Sequence, residues 1–159
     1  MDAADLAQFI IANGIAAEIV HLSVETPTVE TAAQAVGVTP DQIGKSVLFL
    51  AEGRPLLVIA NGLARVDQRR LAAYLGLGRK RVKLANAEEV LAITGYPVGT
   101  VPPFGHREKL LTLVDAAVLS QHELYCGGGA INALLKMTVA ELRRVVGQVE
   151  NVTYGAAEA

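Results

Sequence analysis

The chain has 159 residues, 52% of them hydrophobic, and a formal net charge of −2, which suits one domain with a single well-filled core. Its one cysteine, Cys126, excludes an internal disulfide and cannot alone build a thiolate zinc site, and His21, His106 and His122 show no HExxH or similar spacing, so no metal or cofactor is expected. Apolar runs such as Ser46 to Ala51 and Leu56 to Ala60 are far shorter than the roughly 20 residues of a membrane span. The first five residues carry Asp2 and Asp5 where a secretory signal would carry basic groups. A cytoplasmic protein with no membrane partner is therefore expected.

In chain order, Leu6, Phe9, Ile10 and Asn13 fall at helical spacing within residues 2–13 and Gly14 stops them, predicting an amphipathic helix laid on a sheet. Residues 17–22 read as a strand, and Pro27-Thr28 opens a helix over 29–36 that Gly37 ends. After a turn at 39–42, strands at about 46–51 and 55–61 are joined by Glu52-Gly53-Arg54, the short connection of an antiparallel hairpin. A helix over 65–75 closed by Gly76, a strand at 81–84 and an Asn86-capped helix ended by Gly95 follow. The pattern then gives a strand at 110–114 ending on Asp115, a short segment to Ser120, strands near 123–126 and 131–136, a Thr138-capped helix to Val146 and a closing strand at 149–152. Strands too many for one hairpin sheet, with helices interspersed outside any regular βαβ repeat, give an α+β class with a mixed, strongly curved, barrel-like sheet and surrounding helices.

Residues 95–105, Gly-Tyr-Pro-Val-Gly-Thr-Val-Pro-Pro-Phe-Gly, alternate glycine and proline too densely for a helix or a central strand. They form either a rigid loop that presents chosen backbone N–H groups to a ligand or a connector that turns a corner. Charge is asymmetric too. No lysine or arginine precedes Lys45, whereas Arg65, Arg69, Arg70, Arg79, Lys80, Arg81 and Lys83, half of the 14 basic residues, share one stretch with Asp67 as its only acid. That stretch suits a polyanion held at one side, such as a nucleic-acid end, or is a solvated helix face with a charged turn.

Gly44-Lys45-Ser46 looks like the end of a phosphate-binding loop, but position 39 is threonine rather than the required glycine and a strand follows rather than a helix, so an ATPase or GTPase is excluded. Lys45 is then either a surface lysine or one that projects from a sheet edge into a cleft. Cys126 has no identifiable partner base and is a poor nucleophile candidate. Gly127-Gly128-Gly129 supplies close backbone approach to a ligand or a simple turn between strands, and Asp115 is a turn former or a buried carboxylate that orients a neighbour.

The order and spacing of Gly44-Lys45-Ser46 before a strand, Thr94-Gly95-Tyr96 leading into Gly99 to Gly105, and Val114-Asp115 before a glycine-rich turn resemble the YbaK/prolyl-tRNA synthetase editing-domain family, over about residues 31–146. The resemblance implies a free-standing deacylase that hydrolyses the ester of a mischarged aminoacyl-tRNA, with alanine or cysteine on proline tRNA as leading substrates. Its implied partner is the 3′ acceptor end of aminoacyl-tRNA, delivered with or without a synthetase. It makes Lys45 the essential lysine, Gly99 and Pro103 the GxxxP motif that positions the terminal adenosine and ester, and Asp115 the acidic pocket position. Thr100, Val101, Pro102, Phe104, Gly127, Gly128 and Gly129 are the expected substrate contacts, and Arg79, Lys80 and Arg81 the expected tRNA contacts. Several alanine-editing members carry a histidine near the turn where this chain has Gly129-Ala130-Ile131, so the amino acid removed stays open. Two other functions fit the residues: a module that binds an aminoacyl-tRNA or adenosine ester without cleaving it, and a small-molecule esterase.

Overall fold

A computed structural model describes residues 1–154. Five α-helices, α1 (Ala3–Ala12), α2 (Val29–Val36), α3 (Gln68–Leu75), α4 (Ala87–Thr94) and α5 (Val139–Val146), surround one mixed eight-stranded sheet. Its strands are β1 (Ala17–His21), β2 (Ile43–Ala51), β3 (Arg54–Asn61), β4 (Val82–Leu84), β5 (Leu111–Asp115), β6 (Glu123–Gly127), β7 (Ala133–Thr138) and β8 (Val149–Glu150). They run in the order β1-β7-β6-β2-β3-β5-β8, with β4 also paired to β2. The α+β class and mixed sheet are those expected from the sequence. No helix among the described residues is long and apolar enough to cross a membrane.

Local chemistry places the helix ends. Thr28, Asn86 and Thr138 each accept a hydrogen bond from the backbone N–H three residues on, satisfying donors that the helix cannot. Gly37, Gly76 and Gly95 close their helices in the left-handed conformation that glycine adopts without steric cost. The expected helix from residue 65 starts later, at Gln68, because Asp67 caps it by accepting from the N–H groups of Arg69 and Arg70. Val66 is meanwhile held in a β-bridge to Thr153. The strand expected from 131 begins at Ala133, since residues 128–132 make the turn.

Alternation along the strands divides the core between the two sheet faces. Phe49, Leu56, Val58 and Leu113 pack with Leu71 of α3 on one side. On the other, Ile59, Val114, Leu124 and Leu135 pack with Leu6 and Ile10 of α1 and Leu142 of α5, while Leu48 and Leu57 pack with Val90 of α4 and with Tyr96 and Val101 of the glycine/proline segment. Burying a leucine of this kind contributes about 2 kcal/mol.

Asp115 closes the sheet's far end. Its fully buried carboxylate accepts from the N–H groups of Val152 and Thr153 at 3.0 and 3.1 Å, from Thr153 Oγ1 at 3.0 Å and from the Ala117 N–H at 3.2 Å. It therefore fastens the segment after β8 to the end of β5. Removing it strands two buried backbone donors, and Asp115→Ala is expected to cost about 3 kcal/mol of stability. A urea titration reads this as a lower unfolding midpoint, and a loss under about 1 kcal/mol would deny the carboxylate its fastening role.

Candidate active site

The site lies where β2 changes partners. Strand β3 pairs with β2 along one edge, from Gly44↔Asn61 to Ala51↔Arg54. The other edge is shared: β6 runs parallel to it at Ile43 and Gly44, and β4 antiparallel at Phe49 to Ala51. Between these partners the edge is open, and there a hollow of about 160 Å³ is lined by Lys45, Ser46, Gly99, Val101, Cys126 and Gly127, among others, with Thr26 to Val29 along its side.

Glycine permits this convergence. A Cβ on Gly127 would stand 2.2 Å from the Val101 carbonyl oxygen, and one on Gly44 would stand 2.9 Å from Cys126 Sγ, so neither position admits a side chain without displacement. The Gly129 N–H donates to the Thr100 carbonyl at 2.9 Å and holds the loop on the turn. The loop is also braced from within. The Thr100 hydroxyl donates to the Pro97 carbonyl at 2.8 Å, His106 Nε2 to the Pro102 carbonyl at 2.8 Å, and the fully buried Tyr96 hydroxyl to the Gly105 carbonyl at 3.2 Å. Gly99 sits at φ +88°, in the left-handed region, with its Cα side close to the Pro27 carbonyl. Neither the Gly99 nor the Val101 N–H donates to another group among the described residues.

Lys45 is half-buried and its ammonium donates to the Ala64 carbonyl. Burial, and then the nearby positive charge of Arg65, lower its pKa from the ordinary lysine value, while Glu30 opposes the shift. Cys126 forms part of the floor. Burial pushes its thiol up to about 12, so it is a protonated filler and not a nucleophile at neutral pH. Ser46 Oγ is enclosed with no hydrogen-bond partner. What the arrangement offers chemically is one cation, free backbone donors and a small enclosed volume.

Residues 23–145 match the aminoacyl-tRNA editing domain family. The chain belongs to that family. It is 28% identical over 126 residues to the uncharacterized protein YwhH of Bacillus subtilis, covering 79% of this chain and 78% of that protein. It is 32% identical over 108 residues to a proline--tRNA ligase of Kosmotoga olearia, covering 66% of this chain but only 18% of the ligase. A solved structure described as "a putative trans-editing enzyme for prolyl tRNA synthetase" superposes with a TM-score of 0.88 at 32% identity, covering 96% of this chain and 97% of that one.

Within this editing-domain fold the sequence-derived residues separate into groups. Lys45, Gly99, Val101 and Gly127 share the hollow. Thr100, Pro102, Gly128 and Gly129 stand behind it: Thr100 and Pro102 use their carbonyls to brace the loop, Gly129 donates to Thr100, and a Cβ on Gly128 would lie 2.5 Å from the Ala133 backbone. Pro103 and Phe104 face away, lining a separate cleft of about 780 Å³ near α1 and α5, where Phe104 stacks on Phe9 with ring centroids 5.9 Å apart. Phe104 is thus a packing residue, because the loop turns its aromatic ring into the core after Val101.

Asp115, expected in the pocket, lies outside the lining with its carboxylate taken up by the β8 fastening. Arg79, Lys80 and Arg81 are exposed in a 3-10 turn leading into β4, and Arg81 pairs with Glu52. Since β4 meets the last residues of β2, that turn stands on the order of 20 Å from Lys45 at about 3.3 Å per residue. Arg65 is the basic residue that the fold brings to Lys45.

Sequence reasoning missed Ser46, Thr26 to Thr28 and the floor position of Cys126. The Gly44-Lys45-Ser46 run was a visible signal, but only the strand register shows which main-chain groups of Ser46 are left open. Gly127→Ala should force Val101 off the turn, costing about 1–3 kcal/mol as overpacking does. Differential scanning calorimetry checks this, and an unchanged melting temperature would mean that the loop yields freely.

Proposed function

We propose that the protein is a trans-editing hydrolase that deacylates mischarged aminoacyl-tRNA, with a small amino acid such as alanine or cysteine on proline tRNA. The observation that carries the reading is the single hollow that Lys45 shares with Gly99 and Val101. Family membership, the similar structure described as a trans-editing enzyme and the partial likeness to proline--tRNA ligases support it.

At about 30 Å³ per water-sized group, the 160 Å³ hollow holds about five heavy atoms. That is the size of an alanyl group; the nucleotide must then lie at the mouth. One extra methylene changes binding by only about 1–3 kcal/mol, so rejection of a larger correct amino acid rests on wall shape as well as volume. An aminoacyl ester is already activated. Water attacks its carbonyl carbon, the developing oxyanion is met by the free N–H groups of Gly99 and Val101, and the bond to the ribose oxygen breaks with that oxygen taking up a proton. Lys45 anchors the anionic end of the substrate beside Arg65, and a hydroxyl of the terminal ribose helps activate the water. No protein nucleophile enters, consistent with a Cys126 thiol held protonated.

Arg79 and Lys80 lie too far from Lys45 to touch the ester. In this reading they contact phosphates of the acceptor stem, with Arg81 partly engaged by Glu52. Replacing Arg79, Lys80 and Arg81 together with alanine should weaken tRNA binding and lower the slope of log affinity against log salt by about 2. Filter binding across a salt series measures this, and an unaltered slope returns the turn to a solvated surface.

The chemical test is a panel of tRNAs in which amino acid and tRNA vary independently. The protein should release the amino acid, and Lys45→Ala should slow release by about 100-fold or more while the thermal melt stays near wild type. Full activity of that variant would remove the lysine from the mechanism. Tight binding without release would make the protein a non-catalytic module, and release indifferent to the tRNA would make it a general esterase.

A further inference from the structure

The alternation of the β2 ladder leaves one complete backbone rung unused. The Ile43 carbonyl accepts from the Gly62 N–H on the β3 side, whereas the Leu48 carbonyl accepts from the Ala85 N–H on the opposite side. In an antiparallel ladder the main-chain direction alternates residue by residue, so the N–H and C=O of odd-numbered residues face β3 and those of even-numbered residues face outward. Gly44 spends its outward groups on β6, where the parallel register ends at Gly44↔Cys126. Leu48 spends its carbonyl on Ala85.

Ser46 lies between them with both groups directed into the hollow and no strand beside it. The next rung would have joined it to Gly127 and Gly129. It cannot form, because the Gly129 N–H is diverted to Thr100. Ser46 also carries the enclosed hydroxyl that lacks a partner. One main-chain acceptor and one main-chain donor of a single residue thus meet in a cavity with no carboxylate among its lining groups.

We infer that this open rung recognises the free α-ammonium of the acyl group, a specificity device that rests on the deacylase reading above. The acyl group docks as an antiparallel neighbour would: its ammonium donates to the Ser46 carbonyl, with the Gly127 carbonyl as second acceptor, and its ester carbonyl oxygen accepts from the Ser46 N–H as a third donor beside those of Gly99 and Val101. A buried carbonyl pair takes a cationic donor better than a neutral one, because a charge-assisted bond is about twice as strong as one between neutral groups. The substrate class is therefore restricted to esters with an unblocked amine, and N-blocked aminoacyl ends are rejected by losing these bonds while gaining bulk.

The test uses non-hydrolysable adenosine derivatives that carry an alanyl group in amide linkage at the 3′ position, in three forms: free α-amine, N-acetylated, and with hydroxyl in place of the amine. Calorimetric titration into the intact protein should show the free amine binding at least about tenfold more tightly than either other form. Nitrogen-15 spectra should show the Ser46 amide shifting on binding. Equal affinities, failure of all three to bind, or tight binding of the free amine with a stationary Ser46 resonance would each overturn the inference. Because binding is read without turnover, a protein that fails the deacylation panel yet selects the free amine would retain the recognition rung and lose only the hydrolytic reading.

Discussion

Contact between Gly127 and the Val101 carbonyl is the constraint on which the site depends. It brings the glycine/proline loop, which carries the unpaired N–H groups of Gly99 and Val101, down onto the end of β6 with no space for a side chain between them. The same contact ends the β2–β6 ladder, since the backbone beyond Gly127 is taken up by the loop through the Gly129 to Thr100 hydrogen bond. A hollow and an unpaired strand edge are thus two results of one close approach. The rigidity needed for preorganised donors comes from the loop's own bonds to Pro97, Pro102 and Gly105 carbonyls, made before any ligand arrives.

Electrostatics set Lys45 apart from the other basic residues. A half-buried ammonium is destabilised by lost hydration and by Arg65, and among the described residues the Ala64 carbonyl and the attraction of Glu30 offset this. An anion arriving at the mouth would relieve both penalties, since it pairs with Lys45 and screens it from Arg65. By contrast, Arg144 and Arg81 are already paired with Glu141 and Glu52 on the surface, where such pairs contribute little either way. A half-buried ammonium that feels a second positive charge is a costly arrangement, and it is the arrangement that the proposed anionic substrate would relieve.

Much of the fold was legible because local signals agreed with one another. Caps at Thr28, Asn86 and Thr138, stops at Gly37, Gly76 and Gly95 and the Glu52-Gly53-Arg54 hairpin are short-range chemistry that tertiary structure did not override. The site was legible only in part. Lys45 and Gly99 could be paired through a family resemblance, but their meeting depends on β6 lying beside the start of β2, a long-range pairing that periodicity does not encode. Asp115 was misplaced for the same reason: a buried carboxylate at a strand end signals a structural or a catalytic role equally, and the deciding partners, Val152 and Thr153, lie 37 and 38 residues away. The basic stretch divided because β4 pairs with the far end of β2, carrying Arg79 to Arg81 away from the lysine that the sequence placed beside them in function.

A site made of main-chain groups has a consequence for how its specificity can change. Donors at Gly99 and Val101 and the open rung at Ser46 persist whatever side chains surround them, provided that the glycines at 44 and 127 keep the backbones close. Chemistry and selectivity are then separable. In the proposed deacylase the backbone would supply an oxyanion pocket and a rung for the part common to every aminoacyl ester, while lining residues such as Val29, Ala32 and Cys126 would set the space left for the part that differs. Adding or removing a methyl group on that wall changes the 160 Å³ volume by about a fifth, without touching a group that bears charge in the transition state.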